Sequence, residues 1–322
     1  MPASLYDAMT YNYPAEIPAT VSLLPAAWMK YGDDLRGVVR KYPQFFGNLA
    51  DTYSLETHTP SRYRAGKHVD LWGCVWENIE DGMDAIVTEH PVKTREDVHS
   101  LKAPAVHEGH GLPHGFMYLI LSDLRGFEEV MIDFVEEPEE LQMLIDCVLD
   151  YNCRQIEATV EKTGQYMGFG DDLGMQNGLA IGAERWRKYL FPCYKKMYDI
   201  VHAHNRLVYM HTDGRIVDII PDLAKAGVNM LNPQYRANGL DDLIRVCRGK
   251  VPIHLDLDRQ LMPFASKKDI EDHIRECVEA FYMPEGGFAI SLELNMDVPL
   301  DIIDHTIAMV EKYRFYSGKN SI

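Results

Sequence analysis

His211 and Asp213 stand two residues apart in His211-Thr-Asp-Gly214, directly after the apolar run Leu207-Val-Tyr-Met210. A histidine that follows a buried strand can project from the strand's end, and in extended chain Asp213 lies on the same side. Imidazole and carboxylate together can ligate zinc or work as an acid/base pair. The bland alternative is a histidine bonded to backbone, with Asp213 capping the next helix. Glu293 ends a second such run, Phe288-Ala-Ile-Ser-Leu292. A carboxylate there is costly to bury without a partner, so a metal or an acid role would explain it, as would a solvated loop. Asp171 and Asp172 close a third run, Tyr166-Met-Gly-Phe-Gly170. Adjacent carboxylates point in different directions, so at most one is expected to face a pocket. His254, Asp256 and Asp258 share one face by alternation, and one rim residue with two solvated ones is the expectation. His107, His110 and His114 sit in a glycine-rich loop, where histidines are common without a ligand role.

The elements that must hold these residues are strands that each lead into a helix. Strands are expected near residues 20, 118, 167, 208, 230, 253 and 290, with an unclear one near 72. Helices are expected at residues 138–163, 183–205, 216–226, 240–248, 267–282 and 299–316. Alternation of this kind implies a parallel sheet with right-handed crossovers. About eight strands favour one closed (β/α)8 TIM barrel spanning residues 1–322, with an irregular segment over the first 110 or so residues. In such a barrel the chemistry sits at the rim where strands end and helices begin.

The 322 residues carry a formal net charge of -17, spread along the chain, which disfavours nucleic acid and anionic membrane as partners. No apolar run reaches the roughly 18 residues of a membrane span. The opening residues 1–7 show no basic region followed by an apolar one, so no signal peptide is expected. Six scattered cysteines without a C-x-x-C read as free thiols in a reducing, cytoplasmic setting. Signatures H-E-x-x-H, G-x-S-x-G and the P-loop are absent from the sequence.

Asp70-Leu-Trp-Gly-Cys-Val-Trp76, His90-Pro91, Gly170-Asp-Asp-Leu-Gly174, His211-Thr-Asp-Gly214, Ile220-Pro-Asp-Leu223, Gly227-Val-Asn-Met-Leu-Asn-Pro233 and Asp297-Val-Pro299 resemble the uroporphyrinogen decarboxylase superfamily over nearly the whole chain. The nearest resemblance is to its corrinoid-dependent O-demethylase methyltransferases. Those enzymes move the methyl group of a methoxylated aromatic to cob(I)alamin carried by a separate corrinoid protein. Zinc-dependent members that methylate a thiol carry His-x-Cys after one strand and a second cysteine before the last helix. Here Asp213 stands at the first cysteine position, and Glu293 at or near the second. The resemblance therefore implies His211, Glu293 and Asp213 as ligands of a harder, more Lewis-acidic zinc, suited to an oxygen rather than a thiol. Asp171 or Asp172 would supply a proton or hold substrate, with Gln176 and Asn232. Trp76, Phe169, Trp72 and Tyr235 could contact the ring, core packing being the alternative for each. The cobalamin-holding D-x-H-x-x-G pattern is absent, so any corrinoid would belong to the partner. Uroporphyrinogen decarboxylase itself is the second possibility. Its R-x-A-G-R-Y segment would fall where this chain has Leu24-Pro-Ala-Ala-Trp-Met-Lys-Tyr-Gly32, with neither arginine. A small-molecule-binding barrel without turnover is the third.

Overall fold

A computed structural model describes residues 5–318. Along the chain run strand β1 (Ala19–Leu23), helix α1 (Pro25–Val39), strands β2 (Gly66–Val69), β3 (Val75–Asn78) and β4 (Ile86–Glu89), and helices α2 (Tyr118–Arg125), α3 (Phe127–Glu136) and α4 (Glu139–Thr159). Strand β5 (Tyr166–Gly170), helix α5 (Phe191–Ala203), β6 (Leu207–Thr212), α6 (Ile220–Ala226), β7 (Met230–Pro233), α7 (Leu240–Cys247), β8 (Ile253–Asp256), α8 (Lys267–Phe281), β9 (Phe288–Leu294) and α9 (Leu300–Tyr313) follow, with short helical turns between them. The fold is α/β.

Residues 5–66, 78–85 and 234–318 form one compact unit, and residues 67–77 and 86–233 a second. In the first unit β1 pairs with β9, and β9 with β8, all parallel. In the second, β5, β6 and β7 pair in parallel, with Gly170 beside His211 and His211 beside Asn232. Along β6, Val208, Met210 and Thr212 are buried while Leu207, Tyr209 and His211 are half-buried. That alternation sets one face against helices and leaves the other for the site. Among the described residues no helix is long and apolar enough to cross a membrane. All six cysteines are free, five of them buried.

Six of the eight expected strands are thus parallel strands, and two expectations need correction. The strand near residue 72 is β3, antiparallel to β4. The run Phe116-Met-Tyr-Leu-Ile-Leu121 is not a strand but leads into α2. Of its buried positions Tyr118, Ile120, Leu121, Leu124 and Arg125, all but Ile120 follow one helical spacing. Three main-chain N–H groups at its start find a carboxylate, described below, and Gly126 (φ +91°) ends it. The helical stretch over 183–205 is continuous in sequence but contains a π turn at Trp186–Leu190.

Candidate metal centre

The second unit gathers His114, Asp172 and His211. One donor atom from each lies within 4.8 Å of the other two. His114 Nε2 is 3.0 Å from Asp172 Oδ2, and His211 Nε2 is 3.9 Å from Asp172 Oδ1. The two imidazole centroids are 5.7 Å apart. Asp213 Oδ1 stands 3.4 Å from His211 Nε2, while the Asp213 N–H donates to Asp172 Oδ1 at 3.1 Å. Burial raises the pKa of Asp172. The hydrogen bond from His114, the charges of both imidazoles and the Asp213 N–H outweigh it and hold the carboxyl below its ordinary value.

Each of these three side chains is placed by identifiable contacts. Asp172 follows the end of β5, and His211 is the penultimate residue of β6. Their two loops are zipped together by the Asp171 N–H to His211 O (3.1 Å), the Leu173 N–H to Thr212 Oγ1 (3.1 Å), the Gly174 N–H to Asp213 O (3.1 Å) and the Arg215 N–H to Met175 O (2.8 Å). His211 Nδ1 is 2.8 Å from Asn232 Oδ1 on the neighbouring strand.

His114 belongs to no strand. Its loop is clamped by a buried polar stripe of α4, where Asn152, Gln155 and Thr159 recur at i, i+3 and i+7 and so share one face. Gln155 Nε2 donates to His107 O (2.7 Å) and His110 O (2.6 Å). Thr159 Oγ1 donates to His110 O (2.7 Å), and Asn152 Nδ2 to Phe116 O (2.7 Å). The Gly115 N–H reaches Gly170 O at 2.7 Å. A Cβ at Gly170 would stand 2.6 Å from His114 Nδ1, so the glycine leaves room for the imidazole.

Asp171 turns the other way. It is fully buried and accepts the N–H groups of Met117 (3.2 Å), Tyr118 (2.5 Å) and Leu119 (3.0 Å), together with the Tyr194 hydroxyl. Burial pushes its pKa up, and these donors oppose the shift. Its four donors make Asp171 the anchor of α2. Of the adjacent carboxylates, Asp172 alone joins the histidines.

The other expected site residues are placed as follows. Phe169 packs its ring on Phe116 (5.4 Å) and Tyr198 (5.1 Å), on the face of β5 opposite to Gly170, because successive strand positions alternate. Gln176 is exposed in a turn closed by the bridge between Met175 and Gly178. Trp76 is half-buried, with its indole N–H on Asp70 Oδ2 (2.8 Å) and its ring stacked on His68. Trp72 meets Tyr151 edge-on. His90 Nδ1 is bonded to Asp123 O (2.7 Å).

In the first unit, Glu293 on β9 is ion-paired to Arg259, which also meets Asp256 at 3.1 Å. Asp258 takes Arg236 in a two-pronged pair. His254, Asp256 and Asp258 are all buried, where two of them were expected to be solvated. Tyr235 sets its ring edge against His273 at 4.5 Å. Sequence reasoning set His114 aside as a loop histidine; the signal that could have found it is the polar stripe of α4.

The donor set is chemically coherent for a divalent ion. Two imidazoles and a carboxylate suit zinc or a related first-row metal. Bonds of about 2.0–2.2 Å to a tetrahedral zinc set neighbouring donors about 3.4 Å apart, so donors within 4.8 Å of one another would draw together by up to about 1.4 Å.

Among solved structures, a methyltransferase from Methanosarcina mazei matches with a TM-score of 0.63 and 13% identity over 96% of this chain and 97% of that one. The two share a fold. A Xanthomonas albilineans dihydropteroate synthase overlaps 52% of this chain and 85% of its own at a TM-score of 0.31 and 11% identity. No curated protein sequence matches. The model of the uroporphyrinogen decarboxylase (URO-D) family matches residues 110–313, which include His114, Asp172 and His211. That match covers well over half of the sequence, and the chain belongs to the uroporphyrinogen decarboxylase family.

Proposed function

We propose that the protein is a methyltransferase that demethylates a methoxylated aromatic and passes the methyl group to cob(I)alamin on a separate corrinoid protein. The observation that carries this reading is the cluster of His114, Asp172 and His211 at the ends of β5 and β6, in a chain with the fold of a methyltransferase. Thiolate ligands would favour a thiol acceptor; imidazole and carboxylate favour an oxygen.

In this reading His114, Asp172 and His211 hold the metal, with Asp213 as the fourth candidate. Glu293 is engaged by Arg259, so His114 takes the place that the sequence suggested for it. A bound zinc would supply Lewis acidity toward the ether oxygen. A reduced corrinoid on the partner would supply the nucleophile that takes the methyl group. The C–O pair stays with the departing phenolate, which then needs a positive charge or a proton. The His114–Asp172 hydrogen bond holds a proton there only while the site is free of metal, since ligation by both groups would release it. The ring face of Trp76 and the exposed amide of Gln176 are the proposed contacts for the aromatic substrate.

The test combines metal analysis with an assay. Purified protein should hold one zinc per chain, lost in His211→Ala, and should methylate a reduced corrinoid carrier from at least one of a panel of methoxyarenes. Full demethylation by metal-free protein, or no transfer from any donor, would overturn the reading. The family match favours one other activity, decarboxylation of uroporphyrinogen. Loss of carboxyl groups from added uroporphyrinogen would establish it. The absence of both arginines from Leu24-Pro-Ala-Ala-Trp-Met-Lys-Tyr-Gly32 argues against binding so anionic a substrate.

A further inference from the structure

We propose that Asn232 is a positioning residue that holds His211 as its Nδ1–H tautomer, so that Nε2 is the donor presented to a divalent cation. The role of Nε2 rests on the metal reading above; the tautomer does not.

The argument begins in the sheet. His211 and Asn232 are register partners on parallel β6 and β7, so their side chains leave the sheet side by side. Asn232 is 6% exposed, and its Oδ1 sits 2.8 Å from His211 Nδ1. A carbonyl oxygen only accepts, so this contact is a hydrogen bond only when Nδ1 carries the proton. A neutral His211 then has its lone pair on Nε2. That atom faces carboxylate oxygens of Asp213 at 3.4 Å and Asp172 at 3.9 Å, two groups that can share a cation with it. An amide at 232 also differs from a carboxylate in consequence. A carboxylate partner makes the imidazole more basic and the bound ion less acidic. A neutral amide fixes the tautomer without that electron donation, leaving the cation better able to polarise an oxygen.

Two measurements on the full chain decide it. Nitrogen-15 NMR of histidine-labelled, metal-free protein at pH 8, with His211 assigned through His211→Gln, should show protonated Nδ1 and bare Nε2. Titration with zinc alone should show binding ~10–100-fold weaker in Asn232→Leu, the range for loss of an outer partner, and restored in Asn232→Asp. Asn232→Leu should also lose the single tautomer, a change that a packing defect elsewhere would not produce. Wild-type His211 protonated at Nε2 overturns the proposal, as does Asn232→Leu with unchanged tautomer and zinc affinity. Should Asn232→Leu fail to fold, the wild-type spectrum and Asn232→Asp decide alone. A correct tautomer in protein that takes up no zinc would remove the metal reading and leave the positioning role.

Discussion

Gly174 and Gly214 meet backbone to backbone. A Cβ at Gly174 would lie 2.4 Å from Arg215 N, and one at Gly214 would lie 2.0 Å from Gly174 O. The glycines of Gly170-Asp-Asp-Leu-Gly174 and His211-Thr-Asp-Gly214 are therefore one feature. They let the loops after β5 and β6 close on each other and bring Asp172 within reach of His211. Main chain cannot move aside as a side-chain tip can, so either alanine should cost at the upper end of overpacking, about 3 kcal/mol or more. At Gly214 (φ +79°) the positive φ adds strain. Gly168 on β5 has open space around its Cβ position, and Gly168→Ala should be neutral or slightly stabilising. Urea midpoints of the three variants check this, and a Gly174→Ala as stable as Gly168→Ala would contradict it.

Asp171 and Asp172 should separate cleanly into fold and site. Asp171→Asn replaces one acceptor oxygen by a donor amide among three main-chain N–H groups and a tyrosine hydroxyl, leaving buried donors unmatched. A loss of about 3 kcal/mol is expected. Asp172 is half-buried, and Asp172→Asn should change stability by less than about 1 kcal/mol while weakening zinc binding if the proposed centre holds the ion. Denaturation and zinc titration of both variants would show opposite patterns. Equal destabilisation by the two would contradict the assignment.

The outward logic of the fold was legible where local pattern and final structure agree. Strands β5, β6, β8 and β9 are apolar runs that stop at polar residues, and helices α4 and α8 begin and end close to the sequence limits. The run from Phe116 was misread because its residues favour strands as well as helices, and what decides is remote. Asp171, more than fifty positions away, accepts the N–H groups at the start of α2. His114 was passed over for the same reason. Nothing within its own loop fixes it, and the residues that do are spaced along a helix some forty positions later. Long-range capping and clamping leave no periodic trace in the segment they organise. His211 and Asp172, at strand ends, needed only the alternation of β5 and β6 to be found.

The loop histidines give a direct comparison. His114 is the member of its cluster that reaches Asp172, whereas His107 and His110 have exposed side chains and contribute main-chain atoms to Gln155. Replacing His114 by alanine should weaken zinc binding by more than the ~10–100-fold expected for an outer partner. His107→Ala and His110→Ala should bind as the parent does. Gln155→Leu, which removes the clamp but no donor atom, should fall between. Calorimetric titration with zinc ranks the four, and an unaffected His114→Ala would remove it from the centre.

His273 on α8 gives the fold a pH dependence of its own in the first unit. Burial pushes its pKa down from 6.5 to about 4, with the Asp258 charge opposing and Arg236 adding to the drop. Its Nε2 accepts the Asp258 N–H at 3.1 Å, which needs the neutral ring. Between pH 6.5 and about 4 the unfolded chain therefore binds a proton that the folded chain does not. Stability rises with pH across that window, is complete above 6.5, and falls as the solution is acidified toward 4. A displacement of this size corresponds to about 3 kcal/mol at most. In His273→Gln the amide oxygen can still accept the Asp258 N–H, yet nothing titrates there. The variant should lose part of the slope of stability against pH between 6.5 and 4, while keeping most of its stability near neutrality. Urea unfolding of both proteins at half-unit pH intervals measures it. Parallel curves through that range would show that His273 takes up its proton without unfolding the helix around it.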